Sequence, residues 1–335
     1  MKVLVTGGAG YIGSHAVKLL LEHKHQVIVI DNLSRGYLQC IETLQKKFGS
    51  ANLKFRQTDL RDFKKLSDIL KKEKPAGVLH FAALCLVSES MEKPLDYFEN
   101  NVVASLNLLR AMVDNKIKKL VFSSTCAVYG ESQYLPVDEK HPLKPTNPYG
   151  ESKLMFEKMI SWTGKIHGLK SVILRYFNVS GAASDGLIGD SKKPSELLVQ
   201  NAVRGALGLE TFHLTCPKVK TKDGTPIRDY INIEDLAQAH LLSLNYLARG
   251  GKSEIFNLGT GTGNSVLEIV DQVKKLTGKN FPVEKSQPRK GEYAQVYADI
   301  GKARKLLGWQ PKRTLRDSVQ SLIKWYKSHP QGWQY

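Results

Sequence analysis

No apolar run in the 335 residues reaches the roughly 18 that a membrane-spanning helix needs. The opening Met1-Lys2-Val3-Leu4-Val5-Thr6 turns straight into glycines, unlike a secretory hydrophobic region. Cysteine is scarce: Cys40, Cys85, Cys126 and Cys216 are widely spaced and form no CxxC pair, so neither a disulfide framework nor a thiolate metal site is expected. The nine histidines include no HExxH or other ligand-spaced pair, and no metal is expected. These absences predict a cytoplasmic protein without a membrane partner. Acidic residues are also in short supply, 32 against 49 basic ones, for a net charge of +17. A concentrated basic stripe would suggest nucleic acid. Here the excess is scattered through Lys46-Lys47, Lys64-Lys65, Lys71-Lys72, Lys118-Lys119, Lys192-Lys193 and Lys274-Lys275, several of them at predicted helix ends where cations suit the dipole. No nucleic-acid partner is expected, although part of the excess can attract an anionic substrate.

What is present is an alternation of short β-branched runs and amphipathic stretches, the pattern of parallel strands joined by crossover helices. Strands are read at Lys2–Thr6, Gln26–Ile30, Leu53–Gln57, Gly77–Phe81, Lys119–Ser123 and Ser171–Arg175, with helices at Tyr11–His23, Asp62–Lys71, Pro94–Asn115 and Pro148–His167. The expected fold class is α/β: a doubly wound parallel sheet over 1–180 and a smaller C-terminal α/β domain over 181–335, with a Gly/Ser/Lys/Pro-rich transition at Gly181–Pro194. Further helices are read at Glu196–Leu207, Ile233–Leu247, Val266–Leu276, Ile300–Leu307 and Leu315–Tyr326. A buried strand at Glu254–Leu258 predicts that the chain crosses back between domains near 228–258. In Pro94–Asn115 and Pro148–His167, Val102, Leu106, Leu109 and Met155, Met159, Trp162 recur at helical spacing; they read as sheet-facing core, or as a helix pair for dimerisation. A homodimer is expected.

Gly7-Gly8-Ala9-Gly10-Tyr11-Ile12-Gly13 follows a strand and opens a helix, the context a dinucleotide-binding glycine loop requires. A tight turn needs tolerance of positive φ, a pyrophosphate needs backbone without Cβ, and the helix N-terminus offers oriented N–H donors. Asp31 ends the second strand, where a carboxylate can accept from ribose hydroxyls and would repel a 2′-phosphate, which favours NAD over NADP; nearby Arg35 argues the other way. Asp59-Leu60 can flank the adenine, or Asp59 can serve as a helix cap. Tyr149 and Lys153 follow the helix-start signal Pro145-Thr-Asn-Pro148 and fall one turn apart. A phenol near pKa 10 is a poor base at neutral pH, and a neighbouring ammonium favours its phenolate. The hydroxyl-rich Ser123-Ser124-Thr125 ends a strand, where open α/β sheets bind ligands, and Thr125 can share a substrate proton with Tyr149.

Gly7–Gly13, Asp31, His80-Phe81-Ala82-Ala83, Ser123–Gly130, Tyr149–Lys153, Arg175-Tyr-Phe-Asn178 and Arg228-Asp-Tyr-Ile231 resemble, in order, the extended short-chain dehydrogenase/reductase family, and within it the nucleotide-sugar epimerases. The resemblance runs over nearly the whole chain. It implies an NAD that stays bound, with Gly7, Gly10, Tyr11, Ile12, Gly13, Asp31, Asn32, Asp59, Leu60, Phe81, Ala82, Ala83, Asn100, Ser123 and Phe177 around it, together with Tyr149 and Lys153. It places Asn178, Leu197, Arg228, Arg289 and Glu292 on a UDP-sugar, and implies oxidation at sugar C4, turnover of the 4-keto sugar and re-reduction, interconverting UDP-glucose and UDP-galactose. Planar guanidinium forks suit pyrophosphate oxygens.

Several positions depart from the family pattern. Thr125 stands for the usual serine, Cys85 for a common lysine, and Glu292 for aspartate. Glu196 stands where a neutral residue is common, and Leu214-Thr215-Cys216 lacks the aromatic expected against the base. Val296 replaces a bulky tyrosine of some relatives and leaves room for an N-acetyl group, so a UDP-N-acetylglucosamine or UDP-pentose 4-epimerase is the alternative. A 4,6-dehydratase would need an Asp-Glu pair where Cys126-Ala127 stands, and a non-catalytic NAD sensor would have no use for Tyr149, Lys153 and Thr125 together.

Overall fold

The computed structural model describes residues 1–191, 195–287 and 293–333. Its centre is a seven-stranded parallel sheet of β1 (Lys2–Thr6), β2 (Gln26–Asp31), β3 (Leu53–Gln57), β4 (Gly77–His80), β5 (Lys119–Thr125), β6 (Lys170–Tyr176) and β7 (Glu254–Leu258). The order across it is β7-β6-β5-β4-β1-β2-β3. Around it run α1 (Tyr11–Glu22), α2 (Leu38–Phe48), α3 (Phe63–Glu73), α4 (Val87–Glu92), α5 (Pro94–Phe98), α6 (Ala104–Asp114), α7 (Pro148–His167), α8 (Leu198–Ala206), α9 (Ile233–Ala248), α10 (Val266–Thr277), α11 (Gly301–Leu307) and α12 (Leu315–Ser328). This is the doubly wound α/β class the alternation predicted.

A parallel sheet is covered on both faces, so its central strands are nearly continuous apolar runs whose alternate residues face different layers. In β1, Val3 and Val5 join a core with Val17 and Leu20 of α1, whereas Leu4 joins a second core with Leu66 and Leu70 of α3. β2 repeats the split, Val27 and Val29 against Ile28 and Ile30. The first core also takes Leu236 and Leu244 of α9 and Phe256 and Leu258 of β7, so residues far along the chain complete the first sheet. A third core packs Val199 and Val203 of α8, Ile269 and Val273 of α10, and Leu322 and Trp325 of α12 around Phe212 and Tyr230.

Most predicted elements keep their bounds within a residue or two. Helices α2 and α4 and the two- and three-residue strands beyond residue 177 are not read from the sequence, and one helix is divided. Helix α2 buries Cys40, Ile41 and Leu44, but its N-cap Tyr37 makes no side-chain cap and so gives no start signal. Pro94–Asn115, read as one helix, is α5, a π-helical turn over Glu99–Val103, and α6. Among the described residues no helix is long and apolar enough to cross a membrane.

Candidate active site

Strand order reverses between β1 and β4, and in open α/β sheets the crevice beyond the strand C-termini at that point takes the ligand. A cleft of about 980 Å³ lies there, with Gly7, Gly10, Tyr11, Ile12 and Gly13 along its floor. Gly7 has φ +72° and donates its N–H to the Ile30 carbonyl at 2.8 Å. A Cβ on Gly7 would stand 2.5 Å from the Ala82 nitrogen, and one on Gly13 would stand 2.2 Å from the Gly7 carbonyl oxygen. Helix α1 begins over Gly10 with no side chain capping it, which leaves its N-terminal face to an anion.

The far end of this cleft is acidic and polar. Asp31 is buried, and burial raises its carboxyl pKa, opposed by the N–H groups of Leu33 at 2.9 Å and Ala9 at 3.0 Å. Asp59 accepts from Asn32 Nδ2 at 2.8 Å, and the Arg61 guanidinium holds its carboxyl down at about 2. The cap of α3 is instead Asp62, whose carboxylate accepts from the Lys65 N–H, so Asp59 faces the cleft with Leu60. Arg35 is engaged by Glu89 at 2.5 Å. Phe81, Ala82, Ala83 and Asn100 form the opposite wall. The π-turn brings two consecutive asparagines to use: Asn100 lines the cleft, while buried Asn101 clasps the Leu84 backbone, accepting its N–H at 2.8 Å and donating to its carbonyl at 3.0 Å.

Helix α7 delivers Tyr149 and Lys153. Asn147 caps it by accepting the Gly150 N–H at 2.8 Å, and Pro148 takes the first turn, where a missing N–H is harmless. Lys153 Nζ donates to the Ser123 carbonyl at 2.9 Å, lies over the Phe122 ring, and stands 6.0 Å from the centre of the Tyr149 ring. Burial pushes this ammonium down to about 8. Burial likewise holds the Tyr149 phenol well above its ordinary value, opposed by a hydrogen bond with the Thr125 side chain. Desolvation thus outweighs the help expected from the nearby ammonium. Ser123 enters through its carbonyl; its hydroxyl is turned into the core, 2.8 Å from His240 Nε2.

Tyr149 also lines a second cavity, of about 1380 Å³, that opens beyond it. Thr125, Phe177, Asn178, Leu197, Arg228 and Val296 surround it. Pairing explains how distant residues meet: Asn178–Ser180 runs parallel to Tyr230–Asn232, and Gln295-Val296 runs parallel to Ile227-Arg228. A third cavity continues past Asn178, Glu196 and Arg228 to Leu214-Thr215-Cys216. Aromatic walls there come from Phe212 and Tyr230, which spacing alone did not single out. Tyr176 and Tyr293 also line the second cavity without having been singled out, although Tyr176 adjoins Phe177; Cys126, which stands where a dehydratase would need an acid, and the helix-start residue Asn147 line it too. Arg289 and Glu292 lie outside the described residues. Among the described residues no cluster of His, Cys, Asp or Glu could hold a metal ion.

With this geometry in place, the chain is similar to known proteins along nearly its whole length. Residues 3–259 match the NAD dependent epimerase/dehydratase family. A UDP-glucose 4-epimerase of Lactobacillus helveticus is 45% identical over 336 aligned positions, covering 100% of this chain and 99% of that protein. The crystal structure of UDP-glucose 4-epimerase from Bifidobacterium longum in complex with NAD+ and UDP superposes with a TM-score of 0.94 at 36% identity, covering 99% of this chain and 100% of that one. The UDP-Glc/GlcNAc 4-epimerase from Campylobacter jejuni gives a TM-score of 0.83 at 40% identity over 98% of this chain and 99% of its own. The chain belongs to the NAD dependent epimerase/dehydratase family.

Proposed function

We propose that this chain is an NAD-dependent UDP-glucose 4-epimerase that interconverts UDP-glucose and UDP-galactose. The observation that carries the reading is the position of Tyr149, which lines both the cleft over the glycine loop and the cavity beyond it, with Lys153 and Thr125 at hand. The Cβ-free approach at Gly7 and Gly13, the uncapped start of α1 and the buried Asp31 fit a dinucleotide with free ribose hydroxyls. Bound there, NAD would supply a reversible acceptor for the hydride of sugar C4. Tyr149 Oη takes the proton of the sugar 4-hydroxyl and returns it, and Thr125 steadies that hydroxyl. Lys153, tied to the Ser123 carbonyl, adds positive potential behind the phenol. Asn178, Leu197 and Arg228, together with Arg289 and Glu292, hold the nucleotide while the second cavity leaves the sugar room to turn and present its other face.

A dehydratase is disfavoured by the residues beside Thr125: burial pushes the Cys126 thiol up to about 12, and Ala127 has no proton to give. A second reading rests on Val296, a small wall of the sugar cavity, which leaves space for an N-acetyl group and makes UDP-N-acetylglucosamine an additional substrate. We further propose a cytoplasmic homodimer in which residues 1–180 form the NAD-binding part and 181–335 the nucleotide-sugar part, with α9 and β7 returned to the first. Purified protein with no added NAD, incubated with UDP-glucose, UDP-galactose, their N-acetyl forms and UDP-pentoses, should interconvert C4 epimers. Net NADH release or loss of water would refute the epimerase reading. Failure to convert UDP-N-acetylglucosamine would refute the Val296 argument alone.

A further inference from the structure

Across the mouth of the cofactor cleft, Arg35 and Glu89 meet although they are 54 residues apart, with Arg35 Nη2 at 2.5 Å from Glu89 Oε1. Arg35 belongs to the loop after β2, which lines the acidic end of the cleft through Asn32, Ser34 and Gly36. Glu89 lies on α4, directly after Leu84 and Cys85, which line the same cleft on its other side. The pair therefore joins the two lips. Neither carboxylate nor guanidinium is fully solvated, their side chains being 21% and 41% exposed.

Glu89 is itself held from below. The Tyr97 hydroxyl lies 3.0 Å from Glu89 Oε2, accepts the Leu86 N–H at 2.9 Å, and lies 2.7 Å from the Leu86 carbonyl. Tyr97 is fully buried, and its ring stands edge-on to Tyr149 at 6.4 Å. The Arg35 lip is anchored separately, by the Tyr37 N–H on the Ala9 carbonyl at 3.0 Å and by Asn32 on Asp59. Two fixed lips joined by one ion pair make a strap.

We infer that Glu89 is a cofactor-retention residue, closing the cleft over bound NAD through its pair with Arg35. The inference rests on the NAD reading above. It suits a reaction in which the hydride taken from a sugar must be returned to the same sugar before the cofactor can exchange.

The test measures how long the holoenzyme keeps NAD. Parent protein, Glu89→Gln, Arg35→Gln and the reversed pair Arg35→Glu/Glu89→Arg are saturated with NAD and desalted into NAD-free buffer. Retained NAD is then followed by an enzymatic cycling assay after acid release. Each single variant should lose NAD several-fold faster than the parent, and the reversed pair should restore retention. Added salt should speed loss from the parent by a larger factor than from Glu89→Gln, because partly exposed pairs are screened. Equal retention in Glu89→Gln and the parent overturns the strap, as does a reversed pair that leaks like the single variants. A parent that holds no NAD at all instead overturns the cofactor reading beneath it.

Discussion

Burial and catalysis pull against each other at Tyr149. The phenol is held well above its ordinary value by desolvation, and the Thr125 hydrogen bond only partly opposes this. A base at that position needs added positive potential. Lys153 can give some, but burial has already brought its own ammonium down to about 8. A cationic group bound over the glycine loop, beside both residues, would favour the phenolate. Tyr149→Phe keeps the ring and its edge contact with Tyr97 but removes the proton acceptor. We expect it to retain bound NAD and to lose turnover by about 10²- to 10⁴-fold, the range typical of a missing acid-base group, measured by coupled assay together with the NAD content. Retained turnover would place the base elsewhere.

Among the elements, α7 carries the chemistry and is pinned from beneath. Glu157, one turn beyond Lys153, receives Arg175 of β6 in a bidentate pair, with Nη2 to Oε2 at 2.5 Å and Nε to Oε1 at 3.1 Å. Ser124 of β5 donates to the same carboxylate at 2.5 Å, and Arg175 also donates to the Tyr129 hydroxyl at 3.1 Å. Both members of the pair are buried, at 5% and 2% exposure, so removing one charge strands the other. Glu157→Gln should therefore lower stability by about 3 to 5 kcal/mol, seen as a reduced urea midpoint at unchanged m-value. A change under about 1 kcal/mol would mean that the helix is held by its apolar face alone.

For the molecule as a whole, three buried histidines set an acid limit. His15 and His240 are pushed down to about 4 and His80 to about 3, each chiefly by burial. His80 sits 2.6 Å from the Thr6 hydroxyl and 2.9 Å from that of Ser105, a setting made for a neutral ring. In the unfolded chain these rings titrate near 6.5. Below that pH the unfolded state binds more protons than the folded one, so their contribution is complete above about 6.5 and is lost as pH falls toward 4. Each histidine adds roughly 1.4 kcal/mol per pH unit to the loss. Urea melts from pH 7 to 4.5 should show that slope, and flatter behaviour would mean the rings open to solvent. Association belongs to this scale too. On α6 and α7, Leu106, Met155, Trp162 and Ile166 are exposed, Trp162 by 63% and Ile166 by 69%. Exposed apolar side chains on two helices that pack together suit a second copy of the chain. Trp162→Glu should convert the expected dimer to monomer in sedimentation velocity; a dimer that survives it is built on another face.

The sequence by itself determined the elements whose signals are local. Short β-branched runs marked the strands, Asn147 and Pro148 announced α7, and the spacing of Gly7, Gly10 and Gly13 after β1 announced the dinucleotide loop. Motif order was enough to point to the family. Tertiary structure decided whatever depends on which distant segments become neighbours. The return of β7 to the first sheet, the parallel pairing that sets Asn178 beside Arg228, and the supply of Phe212 and Tyr230 to the third cavity all depend on long-range strand pairing. So do the turning of the Ser123 hydroxyl to His240 and the meeting of Arg35 with Glu89. Backbone periodicity is written within a few residues, whereas the direction of a side chain and its degree of desolvation are set by what the fold packs against it.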